Sequence, residues 1–358
     1  MTKTVAVIPG EDAAPEAVET TVALLERMEL PIRWTFPPVG ERGVRECGDM
    51  FPDAARTAID EADATLFGAT SGASARALFY LRWGKRTFAN VRPTRWSKGF
   101  RSSLASPEAL DLVIVRENLE DLYLFAEGDI SDLAPLDMYS LTAGRALHEL
   151  GDGRFAIKAI TRAGSERVIR HAFELARKRA GGRRDVRAAH VTLGAKYNML
   201  PRTDGLFRDV GIEIASQYSD IGFETLLVDD LAHRLTSHPQ TLDVIVAPNL
   251  YGDILSDAAA GLAGGLGVAP SGCYGDDYAY FESVHGTAPD LAGKHVINPT
   301  ATLLSAAMML EYLGFSDAAA ALDHAVRRVY AEGRVLTPDQ GGTATTSDFG
   351  AAVLAHLS

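Results

Sequence analysis

Two carboxylates four residues apart follow an apolar run in Asp243-Val-Ile-Val-Ala-Pro-Asn-Leu-Tyr-Gly-Asp253-Ile-Leu-Ser-Asp257. If a helix opens at Gly252, positions i and i+4 share one of its faces, and Asp253 and Asp257 point the same way. The end of a strand is a common place for a site in α/β proteins. Paired hard oxygens suit Mg²⁺ or Mn²⁺, whereas two cysteines give no support for a thiolate centre. Acids in a first helical turn are also what the macrodipole favours, so spacing alone leaves both readings open.

Three arginines stand in strand-like contexts: Arg82 in Tyr80-Leu-Arg-Trp83, Arg92 in Asn90-Val-Arg-Pro93, and Arg116 in Val113-Ile-Val-Arg-Glu117. A guanidinium at the end of an apolar strand is costly to bury without an anion. Its partner is either a protein carboxylate or a substrate carboxylate held by two parallel bonds. Tyr123, seven residues past Arg116, is either packing or a proton donor. Lys196 follows the run Leu193-Gly-Ala195 and is either a surface lysine or a base with a lowered pKa. His285-Gly-Thr-Ala-Pro-Asp290 places turn formers between strand and helix, where free backbone N–H groups suit a phosphate, and Asn298-Pro-Thr300 opens the next helix.

Elements able to position these residues alternate along the chain. Buried strands are expected at Thr4–Ile8, Ala64–Gly68, Leu112–Val115 and Val244–Val246. Helices are expected from Pro15, over Glu166–Lys178, and over Ala301–Leu313 with Gly314 as its stop. Such alternation implies α/β layers around a largely parallel sheet. Residues 126–155 are polar and turn-rich, the pattern of a protruding arm, and Gly-Gly-Arg-Arg at 181–184 reads as a solvated turn.

With 358 residues, 47% of them hydrophobic and 23% charged, the chain has the composition of a globular protein and the length for two domains. A net charge of −12 argues against nucleic acid as a partner. No apolar stretch is long enough for a membrane span and MTKTVAVIPG lacks a signal-peptide pattern, so a cytoplasmic location is expected. Cys47 and Cys273 read as buried small residues.

Taken together, these segments resemble the β-decarboxylating dehydrogenases of isocitrate, homoisocitrate, 3-isopropylmalate and tartrate or D-malate. The resemblance runs from Val7-Ile-Pro-Gly10 to Leu336-Thr-Pro-Asp-Gln-Gly-Gly-Thr-Ala-Thr345. Its most specific carriers are Asn249–Asp257 and Val284-His-Gly-Thr-Ala-Pro-Asp-Leu-Ala-Gly293. It implies a two-domain α/β fold with a mixed sheet flanked by helices and a β-arm for dimerisation. Residues 1–98 with 257–358 would form the large cofactor-binding domain, and 99–256 the smaller substrate and dimerisation domain.

The same resemblance assigns roles. Arg82, Arg92 and Arg116 would hold the malate carboxylates, and Tyr123 and Lys196 would manage protons. Asp253 and Asp257 would ligate Mg²⁺ or Mn²⁺ with Asp229, which, like Lys196, would come from the other subunit of a homodimer. Glu282, His285, Gly286, Thr287, Ala288, Pro289, Asp290 and Asn298 would bind the cofactor. An acid at Asp290 favours NAD, because it accepts ribose hydroxyls and repels a 2′-phosphate.

Four places depart from the family. Gly10-Glu-Asp-Ala-Ala-Pro-Glu16 lacks two glycines of the usual Gly-Asp-Gly-Ile-Gly-Pro-Glu, which restricts that loop. Ala195 replaces a common His, and Leu119 a common Thr or Ser. On the specificity segment Ser71–Tyr80, Leu78 and Phe79 give an apolar face that suits an alkyl or aryl substituent, while Arg76 suits a third anion. Ala89-Asn-Val-Arg-Pro93 and the C-terminal motif look closest to homoisocitrate dehydrogenases. The expected activity is therefore NAD- and metal-dependent oxidative decarboxylation of a 3-substituted malate, homoisocitrate- or isocitrate-like. Isopropylmalate and D-malate or tartrate are the alternatives, and a non-catalytic paralogue is the alternative of another class.

Overall fold

In the computed structural model, which describes residues 2–182 and 189–357, the strands run as follows. The first five are β1 (Lys3–Ile8), β2 (Ile32–Thr35), β3 (Ala64–Phe67), β4 (Ala89–Arg95) and β5 (Asp111–Glu117). Four short ones follow: β6 (Glu127–Asp129), β7 (Tyr139–Ser140), β8 (Arg145–Ala146) and β9 (Arg154–Ala156). The last five are β10 (His190–Ala195), β11 (Gly222–Leu227), β12 (Val244–Ala247), β13 (Pro270–Tyr274) and β14 (Ala279–Ser283). Ten of them form one mixed sheet in the order β11-β10-β12-β5-β4-β13-β14-β3-β1-β2.

Helices cover both faces. They are α1 (Ala14–Glu26), α2 (Glu41–Cys47), α3 (Asp53–Asp60), α4 (Ala75–Phe79), α5 (Arg162–Gly182) and α6 (Thr203–Ala215). Then come α7 (Val228–Ser237), α8 (Asn249–Ala263), α9 (Thr300–Tyr312), α10 (Ser316–Glu332) and α11 (Thr346–Leu354). Alternate residues of the β10-β12-β5 block pack on opposite sides. Val113, Val191 and Val244 meet α5 and α6, while Ile114 and Ile245 meet α7 and α8. In the other half Val5 and Leu66 face α1, α9 and α10, while Ala6 and Phe67 face α3 and α4. Strands apolar on both faces need such double cover. Among the described residues no helix is long and apolar enough to cross a membrane.

This topology decides where chemistry can happen. β5, β12, β10 and β11 run parallel, so their carboxyl ends lie on one edge of the sheet. That edge receives Glu117–Tyr123, α8, Lys196 and the start of α7, from four stretches far apart in sequence. Residues 126–155 form two small hairpins, β6 with β9 and β7 with β8, neither paired with the main sheet. Leu136, Met138, Tyr139 and Leu141 stand exposed on them.

Four local expectations are corrected. Of the two cysteines expected to be buried, Cys273 is, but Cys47, at the end of α2, is exposed. The helix bearing the aspartates opens at Asn249, directly after Pro248, rather than at Gly252, and Asp253 and Asp257 keep their i, i+4 relation within it. Arg82 is not in a strand: Tyr80–Gly84 is a wide π-type turn continuing α4, with Lys85 N–H donating to the Tyr80 carbonyl at 2.9 Å. The aromatic residues that look β-prone there are used in packing between helix and loop instead. Gly181 and Gly182 end α5 rather than forming a turn, while Arg183 and Arg184 lie outside the described residues.

Candidate active site

Strand pairing brings the arginines together. Asn90 of β4 stands directly across from Arg116 of β5, and Arg92, two residues on, shares the face of Asn90. α8 packs over this face so closely that a Cβ at Gly252 would lie 2.7 Å from Arg116 Cβ, which only glycine tolerates. The helix therefore lowers Asp253 and Asp257 onto the two guanidiniums.

Arg92 Nη1 donates to Asp253 Oδ1 at 3.0 Å, to Asp257 Oδ1 at 3.3 Å and to Ser256 Oγ at 2.7 Å, while its Nε donates to Asn90 Oδ1 at 3.2 Å. Arg116 Nη1 also donates to Asp253 Oδ1, and its Nε donates to Asn249 Oδ1 at 2.8 Å. Tyr123 OH donates to Asp253 Oδ2 at 2.9 Å, with its ring 5.1 Å from Arg116 Cζ. Five of the expected residues thus meet on one carboxylate and its neighbour.

Electrostatics separates the two acids. Burial pushes Asp253 up, but Arg116, Arg92 and the Tyr123 hydroxyl together outweigh it and hold its carboxyl below the usual range. Asp257 is pushed up, mainly by burial. Arg116 is driven down to about 10 by burial, with Arg92 adding like-charge repulsion. Burial also raises Tyr123, as does its bond to ionised Asp253.

Arg82 lies beside this group. Its Cζ is 5.4 Å from the Trp83 ring, and its buried Nε has no hydrogen-bond partner among the described residues. Burial lowers its affinity for a proton, yet Tyr280, Glu282 and Cys273 reverse the balance and raise it. Glu282 itself is pushed up by burial, against Arg82, Arg92 and Arg116.

Lys196 and Asp229 are placed differently. Lys196 Nζ donates to Asp229 Oδ1 at 2.6 Å, and this bond chiefly holds the Asp229 carboxyl low. Among the described residues neither bonds to Asp253 or Asp257. No three His, Cys, Asp or Glu side chains gather there into a metal set.

Four of the eight cofactor candidates, His285, Gly286, Ala288 and Asn298, share a separate wall. A cavity of about 430 Å³ is lined by Gly267, His285, Gly286, Ala288, Leu291 and Asn298, among others. His285 Nδ1 donates to the Gly286 carbonyl at 2.8 Å, which leaves Nε2 a bare acceptor; it is buried and has no partner among the described residues. Burial pushes this imidazole down, toward its neutral form. Thr287 anchors the loop by accepting from Ala13 N–H at 3.1 Å, and Ala288 takes a left-handed φ of 49°. Asn298 Nδ2 donates to Asp339 at 2.9 Å and to Tyr330 OH at 3.0 Å. Pro289 and Asp290 are exposed.

The specificity segment divides its residues. Arg76 Nη1 pairs with Asp49 Oδ1 at 2.5 Å. Leu78 packs against the cluster of Phe51, Ala55 and Leu81, while Phe79 is exposed. Asp12, at a position where a glycine is usual, adopts φ 56°, a region aspartate tolerates better than most residues.

Other functional candidates were not singled out in the sequence. Glu11 accepts from Thr70 Oγ1 at 2.6 Å, Ser71 N–H at 2.8 Å and the Ser74 hydroxyl, and so ties the loop before α4 to the turn after β1. Lys158 pairs with buried Asp204 at 2.6 Å and Asp121 at 3.3 Å. Those two acids in turn accept from the Lys196 and Leu250 N–H groups, so Lys158 links both groups of polar residues. Alternation with Arg92 along β4 marks Asn90 in the sequence; nothing comparable marks Lys158.

Residues 4–353 match the isocitrate/isopropylmalate dehydrogenase family. The chain is 38% identical to the 3-isopropylmalate dehydrogenase of Archaeoglobus fulgidus over 358 residues, covering 99% of each. It is 39% identical to the isocitrate/homoisocitrate dehydrogenase of Thermus thermophilus, covering 99% of this chain and 98% of that protein. The crystal structure of isocitrate dehydrogenase from Methylococcus capsulatus superimposes with a TM-score of 0.84 at 35% identity, covering 99% of both chains.

Proposed function

Given that the chain belongs to the isocitrate/isopropylmalate dehydrogenase family and is a decarboxylating hydroxy-acid dehydrogenase, we propose that it uses NAD and Mg²⁺ or Mn²⁺ to oxidise and decarboxylate a 3-substituted malate. The observation that carries this reading is the convergence of Arg92, Arg116 and Tyr123 on Asp253.

The residues fit the groups they would hold. Asp253 and Asp257 lie within reach of one Arg92 nitrogen, and their hard oxygens match Mg²⁺ or Mn²⁺. The bare, buried His285 Nε2 accepts a hydrogen bond and so suits an amine such as that of adenine. Asp290, an exposed acid on the same loop, favours the ribose hydroxyls of NAD over a 2′-phosphate. Thr287, Pro289, Asn298 and Glu282 complete the proposed cofactor wall. A divalent ion at the aspartates would act as a Lewis acid on the substrate C2 oxygen, and a nicotinamide ring would take the C2 hydride.

The chain's own side chains do the rest. Arg82, Arg92 and Arg116 bind the malate carboxylates, exchanging protein acids for substrate acids at little change in charge balance. Lys196 takes the hydroxyl proton directly or through one water. With C2 a ketone, the carboxylate on C3 is β to a carbonyl and leaves as CO₂. Tyr123 then gives its proton to C3 of the enol.

Lys196 and Asp229 serve the site of the other subunit in a homodimer. Two features support this: a single chain gathers only two of the three acids, and the exposed apolar residues of 126–155 offer a surface for the partner. The sheet halves support the division into a large domain, 1–98 with 257–358, and a small one, 99–256. Because Arg76 is paired with Asp49, the geometry favours an apolar substituent over the third carboxylate of a homoisocitrate-like substrate.

The test is NADH formation from a panel of 3-substituted malates, with Mn²⁺ present or chelated. Turnover lost on chelation is the expected result. Turnover unaffected by chelation sinks the metal assignment, and no turnover on any malate points to a non-catalytic paralogue.

A further inference from the structure

α4 and the turn after it present two faces of opposite chemistry. On one, Arg76 binds Asp49 and Tyr80 OH donates to Asp60 at 2.7 Å. On the other lie Phe79 and Trp83, four residues apart, with ring centroids 5.3 Å apart and planes at 75°. Phe125 closes a triangle, 5.6 Å from Phe79 and 5.7 Å from Trp83.

Two of these rings face solvent: Phe79 is 45% exposed and Phe125 65%. Phe125 also has φ 54°, in the left-handed region that bulky residues rarely adopt. Such outliers gather at functional sites, because strain persists only where the surroundings over-determine it. Here the strained turn lies two residues past Tyr123, and Trp83 is stacked beside Arg82. The aromatic surface is thus continuous with the residues proposed to bind and protonate the malate.

We propose that Phe79, Trp83 and Phe125 form the subsite for the substituent on C3, and that this substituent carries an aromatic ring, as in a 3-arylmethylmalate. The inference rests on the function proposed above and narrows its substrate class. A ring can meet the three in tilted and edge-to-face contacts, the arrangement they already adopt with one another, which a branched alkyl group cannot reproduce. A third carboxylate fails here. Arg76 is taken by Asp49, Arg82 is committed to the malate core, and no cation on 75–84 is left to face the rings. Bare malate or tartrate would leave the apolar surface uncovered.

The experiment measures kcat/KM of the full-length protein with NAD and Mn²⁺ on 3-benzylmalate, 3-isopropylmalate, isocitrate and D-malate. We expect 3-benzylmalate to exceed 3-isopropylmalate about tenfold or more, through KM, with isocitrate lowest. Phe79→Ala and Phe125→Leu should each lower kcat/KM for 3-benzylmalate about tenfold more than for D-malate. Phe125→Leu keeps apolar bulk, so a folding defect, which would depress both substrates alike, is distinguished from loss of the ring. Preference for isocitrate or 3-isopropylmalate overturns the aromatic subsite while leaving the dehydrogenase reading intact. Equal losses on both substrates overturn it as well. NADH from none of the four sinks the reading beneath it and the subsite together.

Discussion

Two groups of polar residues share one edge of the sheet but are held in contrasting ways. Asp253 is tied by Arg92, Arg116 and Tyr123, and those arginines are held in turn by Asn90, Asn249 and Ser256. Among the described residues Lys196 and Asp229 hold only each other through their side-chain tips, and the aspartate is largely open to solvent. A closed network is what a chain builds for its own site. A lone exposed pair is what remains when the other ligands and substrate come from elsewhere. The difference teaches that charge near an active edge is not enough: under the proposed shared site, the degree of cross-tying separates residues that serve their own chain from those that serve its partner.

The largest effect that should separate the two groups comes from their aspartates. Asp253→Asn should lower kcat/KM on the order of a thousandfold, since it removes both the proposed metal ligand and the anchor of two arginines. It should also destabilise the fold by about 3 kcal/mol, because buried Arg116 is left underpaired. Asp229→Asn should match the loss of turnover yet leave the unfolding midpoint essentially unchanged, as exposed pairs contribute little. Steady-state kinetics and calorimetry on both variants check this; equal destabilisation would break the contrast.

Acid should sharpen it next. Asp253 is held low, so the stability its pairing contributes is present above the ordinary carboxylate range and is lost only as pH falls through its depressed value. An earlier acid loss should come from the buried histidines, from His285, whose imidazole burial pushes down, and from behind the sheet. There His171, between Phe88 and Tyr274, is driven down to about 4 by burial. A histidine lowered in the folded state favours the unfolded chain as it protonates. This histidine's contribution should therefore hold above about pH 6.5 and fall by up to about 3 kcal/mol on approach to pH 4. Buried Glu117, raised to about 7, contributes in the opposite sense as it protonates. Across that window wild-type unfolding midpoints should fall relative to those of His171→Gln. Identical profiles would remove His171 from the account.

The smallest effect belongs to Arg76. With its pair to Asp49 exposed, Arg76→Ala should change kcat/KM less than about threefold on isocitrate and D-malate alike. A loss confined to isocitrate would restore Arg76 to the pocket.

Much of this was legible in the sequence because it depends on local period. Asp253 and Asp257 share a helical face wherever in the first turn the helix begins, so the displaced start at Asn249 left their pairing intact. The buried strands and α1, α5 and α9 follow from apolar period in the same way. Arg82 was misplaced because Tyr80-Leu-Arg-Trp83 is β-prone by composition, while packing of Trp83 and Tyr80 on opposite sides holds it helical. The Phe79–Trp83–Phe125 triangle was only half visible. The i, i+4 spacing of the first two is in the chain, but Phe125 joins them through a left-handed turn that no pattern announces. Glu11 and Lys158 were missed for a related reason, since their partners are 59 to 63 and 37 to 46 residues away.

The central claim, that each site takes Asp253 from one chain and Lys196 with Asp229 from the other, is tested most directly by mixing two inactive variants. Asp253→Asn and Lys196→Met are purified separately, unfolded, refolded together at equal concentration, and assayed for NADH formation. Shared sites predict that random pairing restores about a quarter of wild-type turnover, because half of the dimers are hybrids and each hybrid has one intact site. Turnover no higher than the sum of the two variants refolded alone, with hybrid dimers shown to be present, would contradict the account.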